Sequence, residues 1–155
     1  MYNAATALDV NIKEISQHFD SMTICLSKGL GAPIGSLVLG TATFIEKARR
    51  WRKVLGGGMR QVGILAAAGK VALANNVIKL KEDHKNAIHL AHKLNQINGV
   101  SVDESQVQTN MVFIKVNKSI DIYKVALELK QKNILVTPSY NMRLVTHLDI
   151  STQDI

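Results

Sequence analysis

Lys28 stands between an apolar run, Thr23-Ile24-Cys25-Leu26, and the glycines of "LSKGLG". A lysine beside glycines raises three readings. Its ammonium can snorkel to solvent from the end of a strand. It can belong to a phosphate loop, but that loop needs the lysine after its glycines, and Lys28 precedes them. The dinucleotide fingerprint also fails, because Gly29 and Gly31 are followed by Gly35, one residue late. The third reading is a Schiff-base lysine: a tight loop disfavours the ammonium by desolvation, and the neutral amine then attacks carbonyls. Pyridoxal phosphate (PLP) chemistry needs such a lysine at a fixed position.

Arg143 is the second candidate. Strand alternation in "MRLVTHL" puts Arg143, Val145 and His147 on one face and Met142, Leu144 and Thr146 on the other. Its planar fork suits a substrate carboxylate or a structural salt bridge. Arg60, in "GGGMRQ", suits either an anion beside glycine-rich backbone or a turn opening the next helix. Lys47, Arg49, Arg50, Arg52 and Lys53 read as a solvated helix face. His84, His89 and His92 share a helix, but His84 and His92 are about two turns apart, so no metal is expected. Ser27 lacks the G-x-S-x-G elbow of a nucleophilic serine.

The elements that must position these residues follow from periodicity. Residues 2–18 read as an amphipathic helix. "SMTICL" (21–26) reads as a strand buried on both faces, and "SLVLG" (36–40) as its antiparallel neighbour, since the loop between them is too short for a crossover. A helix is expected over 41–52, capped by Thr41 or Thr43, then an alanine-rich helix over 64–76 and a long one over 77–96. Asn98-Gly99 is a stop. Beyond it, strands are expected at "VSV", "MVFIKV" (111–116), "ILVTP" and 142–148, with a helix over 120–132 capped by Ser119. That pattern is a small α+β domain. The division falls at 1–85 and 86–155. "STQD" (151–154) announces a helix that the chain does not continue, and both ends read as cut from a longer protein.

The chain has 155 residues and a net charge of +7. Its seven aromatics (three Phe, three Tyr, one Trp) do not interleave with a basic tract, so nucleic acid is not an expected partner. No apolar run is long enough for a membrane span, and no signal peptide is visible. A lone cysteine, Cys25, fits a reducing, cytoplasmic setting.

Three segments, "DSMTICLSKGLGAPIGSLVLG", "RWRKVLGGGMRQVGILAAAG" and "MRLVTHLDIS", resemble the low-specificity L-threonine aldolase family, in register along nearly the whole chain. The resemblance implies an α/β, aspartate-aminotransferase-like, fold-type-I architecture: the end of a cofactor-binding large domain plus a small α+β domain. It implies PLP as cofactor and retro-aldol cleavage of a small β-hydroxy amino acid, L-threonine or L-allo-threonine, to glycine and acetaldehyde. Lys28 then matches the catalytic lysine that holds the cofactor, and Arg143 the arginine that grips the substrate carboxylate. Arg60 matches a cofactor-side position and Lys53 a substrate-side one. Family members are homotetramers built from dimers. The family's aspartate-glycine-alanine-arginine motif, its ring-stacking histidine and its phosphate loop lie ahead of the segment matching Met1. The chain alone is therefore expected to be inactive. The alternative is a non-catalytic remnant or split-gene half that works only with an N-terminal partner chain.

Overall fold

The expected helix over 2–18 is two helices in the structure, a computed structural model describing residues 1–155. Helix α1 (Tyr2–Leu8) ends where Asp9 turns left-handed at φ 51°. Helix α2 (Ile12–Ser16) restarts on a capping box, with Asn11 accepting from the Lys13 amide and Glu14 from the Asn11 amide. Asn11-x-x-Glu14 is thus a start signal inside the apolar period, and it overrides the longer helix.

The chain divides into two units, Met1–Leu80 and Lys81–Ile155. In the first, β1 (Ser21–Cys25) pairs antiparallel with β2 (Ser36–Gly40), Thr23 opposite Val38. The expectation that β1 is buried on both faces is corrected: Ile24 is buried, while Ser21 and Thr23 are exposed. A two-stranded ribbon covers only one side of each strand. Helix α3 (Ala42–Val54) starts at Thr41, whose Oγ1 accepts from the Phe44 amide at 3.3 Å. Helix α4 (Gly63–Val71) continues into a π-turn, Ala72–Asn76. The core of this unit joins Ile24, Leu26, Leu30, Ala32, Ala72 and Leu80.

The second unit is built on α5 (Leu80–Asn95) and an antiparallel sheet of order β3-β4-β5. The strands are Val100–Val102, Met111–Val116 and Asn141–Val145. Val112 and Ile114 on β4 face inward and join Ala87 and Ala91 of α5, both fully buried. Alanine at those two positions, four apart, keeps the helix close to the strands. Helix α6 (Ile122–Gln131) is capped by Asp121, which accepts from the Tyr123 and Lys124 amides at 3.1 Å. Ser119 is not the cap, because its amide and hydroxyl both donate to Asn117 at 3.0 Å. "ILVTP" (134–138) forms no strand; β5 pairs with β4 alone. Ser151 donates from its amide and hydroxyl to Asp154 at 2.8 and 2.7 Å, closing a turn rather than opening a helix.

Candidate active site

Lys28 lies on the turn that follows β1. Leu26, Leu30 and Ala32 are buried, whereas Ser27 and Lys28 point to solvent. The turn is closed by its own backbone. The Gly31 amide donates to the Lys28 carbonyl at 2.7 Å, and the Ala32 amide to the Leu26 carbonyl at 3.0 Å. The Leu26 amide donates to the Gly35 carbonyl at 2.9 Å. Gly31 (φ 68°) and Gly35 (φ 116°) hold conformations that L side chains rarely adopt, so the glycines shape the turn. Gly29 sits where a Cβ would stand 3.1 Å from Leu80 and 3.3 Å from Asn3. From outside the turn, Asn76 Nδ2 donates to the Leu30 carbonyl at 2.8 Å.

The result is a lysine on a fixed mount with a free end. Lys28 makes no ion pair. It is exposed, so the desolvation expected from the sequence is not supplied by this chain's own packing. The nearby Cys25 thiol, 3.5 Å from Ser27 Oγ, is held below its ordinary pKa by hydrogen bonds from Ser27, with a smaller contribution from the Lys28 charge.

Lys53 closes α3, and Arg60 follows the Gly56–Gly58 stretch. Both are exposed and free of acidic partners. A Cβ on Gly58 would stand 2.6 Å from Lys53 Cδ, so the glycine lets the backbone pass against that lysine. Arg60 lies two residues before Val62, the residue that opens α4, as the turn reading expects. Lys28, Lys53 and Arg60 belong to the first unit and Arg143 to the second.

Arg143 sits mid-strand on β5, opposite Phe113 of β4. Met142 and Leu144 pack on the core and Arg143 and Val145 are exposed, which is the alternation expected. Arg143 forms no salt bridge, so a structural ion pair does not account for it. Its strand is anchored by buried polar groups that the sequence reading passed over. Thr146 Oγ1 donates to the Asp83 carbonyl at 2.6 Å, and Asn110 Nδ2 to the Thr146 carbonyl at 2.9 Å. Asn86 Nδ2 donates to the Ile150 carbonyl at 3.2 Å, and Asn86 Oδ1 accepts from Thr152 Oγ1 at 2.8 Å. Asp83 is 3% exposed, and its Oδ2 has no hydrogen-bond partner. Burial pushes its pKa up. The one available signal was polar side chains at inward positions of an amphipathic helix.

The residues present fit PLP. A primary amine on a fixed turn suits its aldehyde, and unpaired cations beside glycine backbone suit its phosphate.

Residues 1–117 match the family model described as beta-eliminating lyase. The chain is 47% identical, over its full length and 45% of the relative's, to the low specificity L-threonine aldolase of Escherichia coli K12. It is 44% identical to low-specificity L-threonine aldolase 1 of Arabidopsis thaliana, again over all of this chain and 44% of the relative. The chain thus spans less than half the length of these curated relatives. A crystal structure from Listeria monocytogenes, assigned as an L-allo-threonine aldolase, superposes with a TM-score of 0.82 at 18% identity. That match covers 94% of this chain and 44% of the other. A crystal structure from Exiguobacterium sp. 255-15, assigned as an aromatic amino acid beta-eliminating lyase/threonine aldolase, gives 0.83 at 19% identity, over 99% of this chain and 47% of the other. The fold is therefore part of the fold-type-I, aspartate-aminotransferase-like architecture, and the chain belongs to the beta-eliminating lyase family.

Proposed function

We propose that this chain supplies the lysine-bearing part of a PLP-dependent aldolase that splits L-threonine and L-allo-threonine into glycine and acetaldehyde. The observation that carries the reading is Lys28. It is an exposed, unpaired amine on a turn pinned from both sides. It lies within a sequence 44–47% identical to proteins named for that activity.

Each residue takes a role its chemistry allows. Lys28 Nζ would hold the cofactor; the amine reacts with carbonyls only as the free base. Arg60 would meet the cofactor's anionic side, and Lys53 the substrate. Arg143 would grip the substrate carboxylate through its two parallel N–H donors, fixing the orientation of Cα. When bound, PLP supplies a sink for the electron pair released at Cα. This chain contributes position: the glycine turn and the buried Leu26 and Leu30 fix the backbone that carries Lys28 while its side chain stays exposed. Residues 1–85 correspond to the end of the cofactor-binding large domain and 86–155 to the small domain. We further propose a cytoplasmic homo-oligomer. No single helix is long and apolar enough to cross a membrane.

The test is reconstitution. Mixed with PLP and the N-terminal part of a related aldolase, the chain is expected to release acetaldehyde from threonine. Alone, it is expected to release none. Lys28→Ala in the mixture should return activity to background. Activity that survives Lys28→Ala would remove the proposal.

A further inference from the structure

The turn carrying Lys28 is reached from outside by the polar side chain of Asn76. Helix α4 and its π-turn approach that turn along Gly69, Ala72 and Asn76. Gly69 has no side chain, and a Cβ there would stand 3.0 Å from Leu26 Cδ1. Ala72 is 1% exposed and packs in the cluster that holds Leu26 and Leu30. Asn76 follows one helical turn later and donates to the Leu30 carbonyl at 2.8 Å. The turn's own amides, of Gly31 and Ala32, use the carbonyls of Lys28 and Leu26, and the Leu30 carbonyl takes its donor from outside the turn, from Asn76. Asn76 is also the last residue of the π-turn, a wide helical turn that recurs at functional sites.

We propose that Asn76 is a positioning residue for Lys28. It clamps the lysine turn through the Leu30 carbonyl, so that the Lys28 amine is presented in one place rather than over an ensemble. The inference rests on the reading of Lys28 as the cofactor lysine.

Two measurements on this chain, mixed with the N-terminal part of a related aldolase, test it. Amide exchange reads the clamp at Gly31 and Ala32. Reductive trapping with pyridoxal phosphate and cyanoborohydride, mapped by peptide mass spectrometry, reads the share of adduct on Lys28 against exposed lysines such as Lys47. In Asn76→Ala, protection at the two amides should fall by roughly two- to tenfold, the worth of one hydrogen bond. The Lys28 share should fall toward that of Lys47. Asn76→Asp, which sets an acceptor against the carbonyl, should move both readouts further. Far-UV circular dichroism identifies the variants that remain folded, and a purely structural asparagine would lower the melting temperature while leaving the Lys28 share unchanged. Wild-type preference for Lys28 that persists in a folded variant overturns the role of Asn76 alone. Absence of any Lys28 preference in the wild type overturns the Lys28 reading and the role of Asn76 with it.

Discussion

Thr146 Oγ1 donates to the main-chain carbonyl of Asp83 at 2.6 Å, tying the end of the Arg143 strand to the first turn of α5. Thr146 is 1% exposed, so water cannot replace the bond. Thr146→Val keeps the shape and removes the donor. It should destabilise the chain by about 1–3 kcal/mol, the range for leaving a buried group unpaired. Urea denaturation reads this as a lower midpoint at unchanged slope.

Asp83 itself predicts a pH dependence. Burial raises its folded-state pKa, and the charge of His147 opposes that rise while Glu82 adds to it. The unfolded carboxyl therefore loses its proton first as pH rises. Native stability falls as pH climbs above the ordinary carboxylate value, and the penalty is complete once pH passes the raised folded-state value. Asp83→Asn removes the charge and leaves the carbonyl that Thr146 uses. It should stabilise the chain by about 1 kcal/mol at pH 7 and by little near pH 4. Equal effects at the two pH values would count against a buried carboxylate.

Gly99, in the turn between α5 and β3, has φ 86°, and a Cβ there would lie 2.5 Å from Ile120 Cδ1. Gly99→Ala should cost about 1–2 kcal/mol through the backbone and the contact together. Thermal melting would show it directly.

Cys25 should ionise below the ordinary thiol range, because Ser27 hydrogen-bonds the thiolate. The pH profile of alkylation by iodoacetamide should be shifted to lower pH relative to a free thiol. Ser27→Ala should move it back further than Lys28→Ala does, since the Lys28 charge is the smaller cause.

Particular residues show how much was legible in the sequence. The short loop after Leu26 sufficed for the antiparallel β1–β2 pair, and alternation sufficed for the exposed Arg143 on β5. Local competition was harder to read. Asn117 captures Ser119 and leaves Asp121 to cap α6, a choice between two good caps two residues apart. The apolar run at 134–138 has strand composition but no strand beside it, and pairing is not a property of one segment. In the site, the oddness of Lys28 and its glycines was visible. The Asn76 clamp joins residues 46 positions apart, and nothing local announces it.

Peptide mapping of the chain, mixed with the N-terminal part of a related aldolase and treated with stoichiometric pyridoxal phosphate and cyanoborohydride, tests the Lys28 assignment most directly. If Lys28 is the amine built to hold the cofactor, its peptide carries most of the adduct, and Lys28→Ala removes that fraction without moving it elsewhere. Adduct spread over the exposed lysines, with no excess at Lys28, would contradict the account.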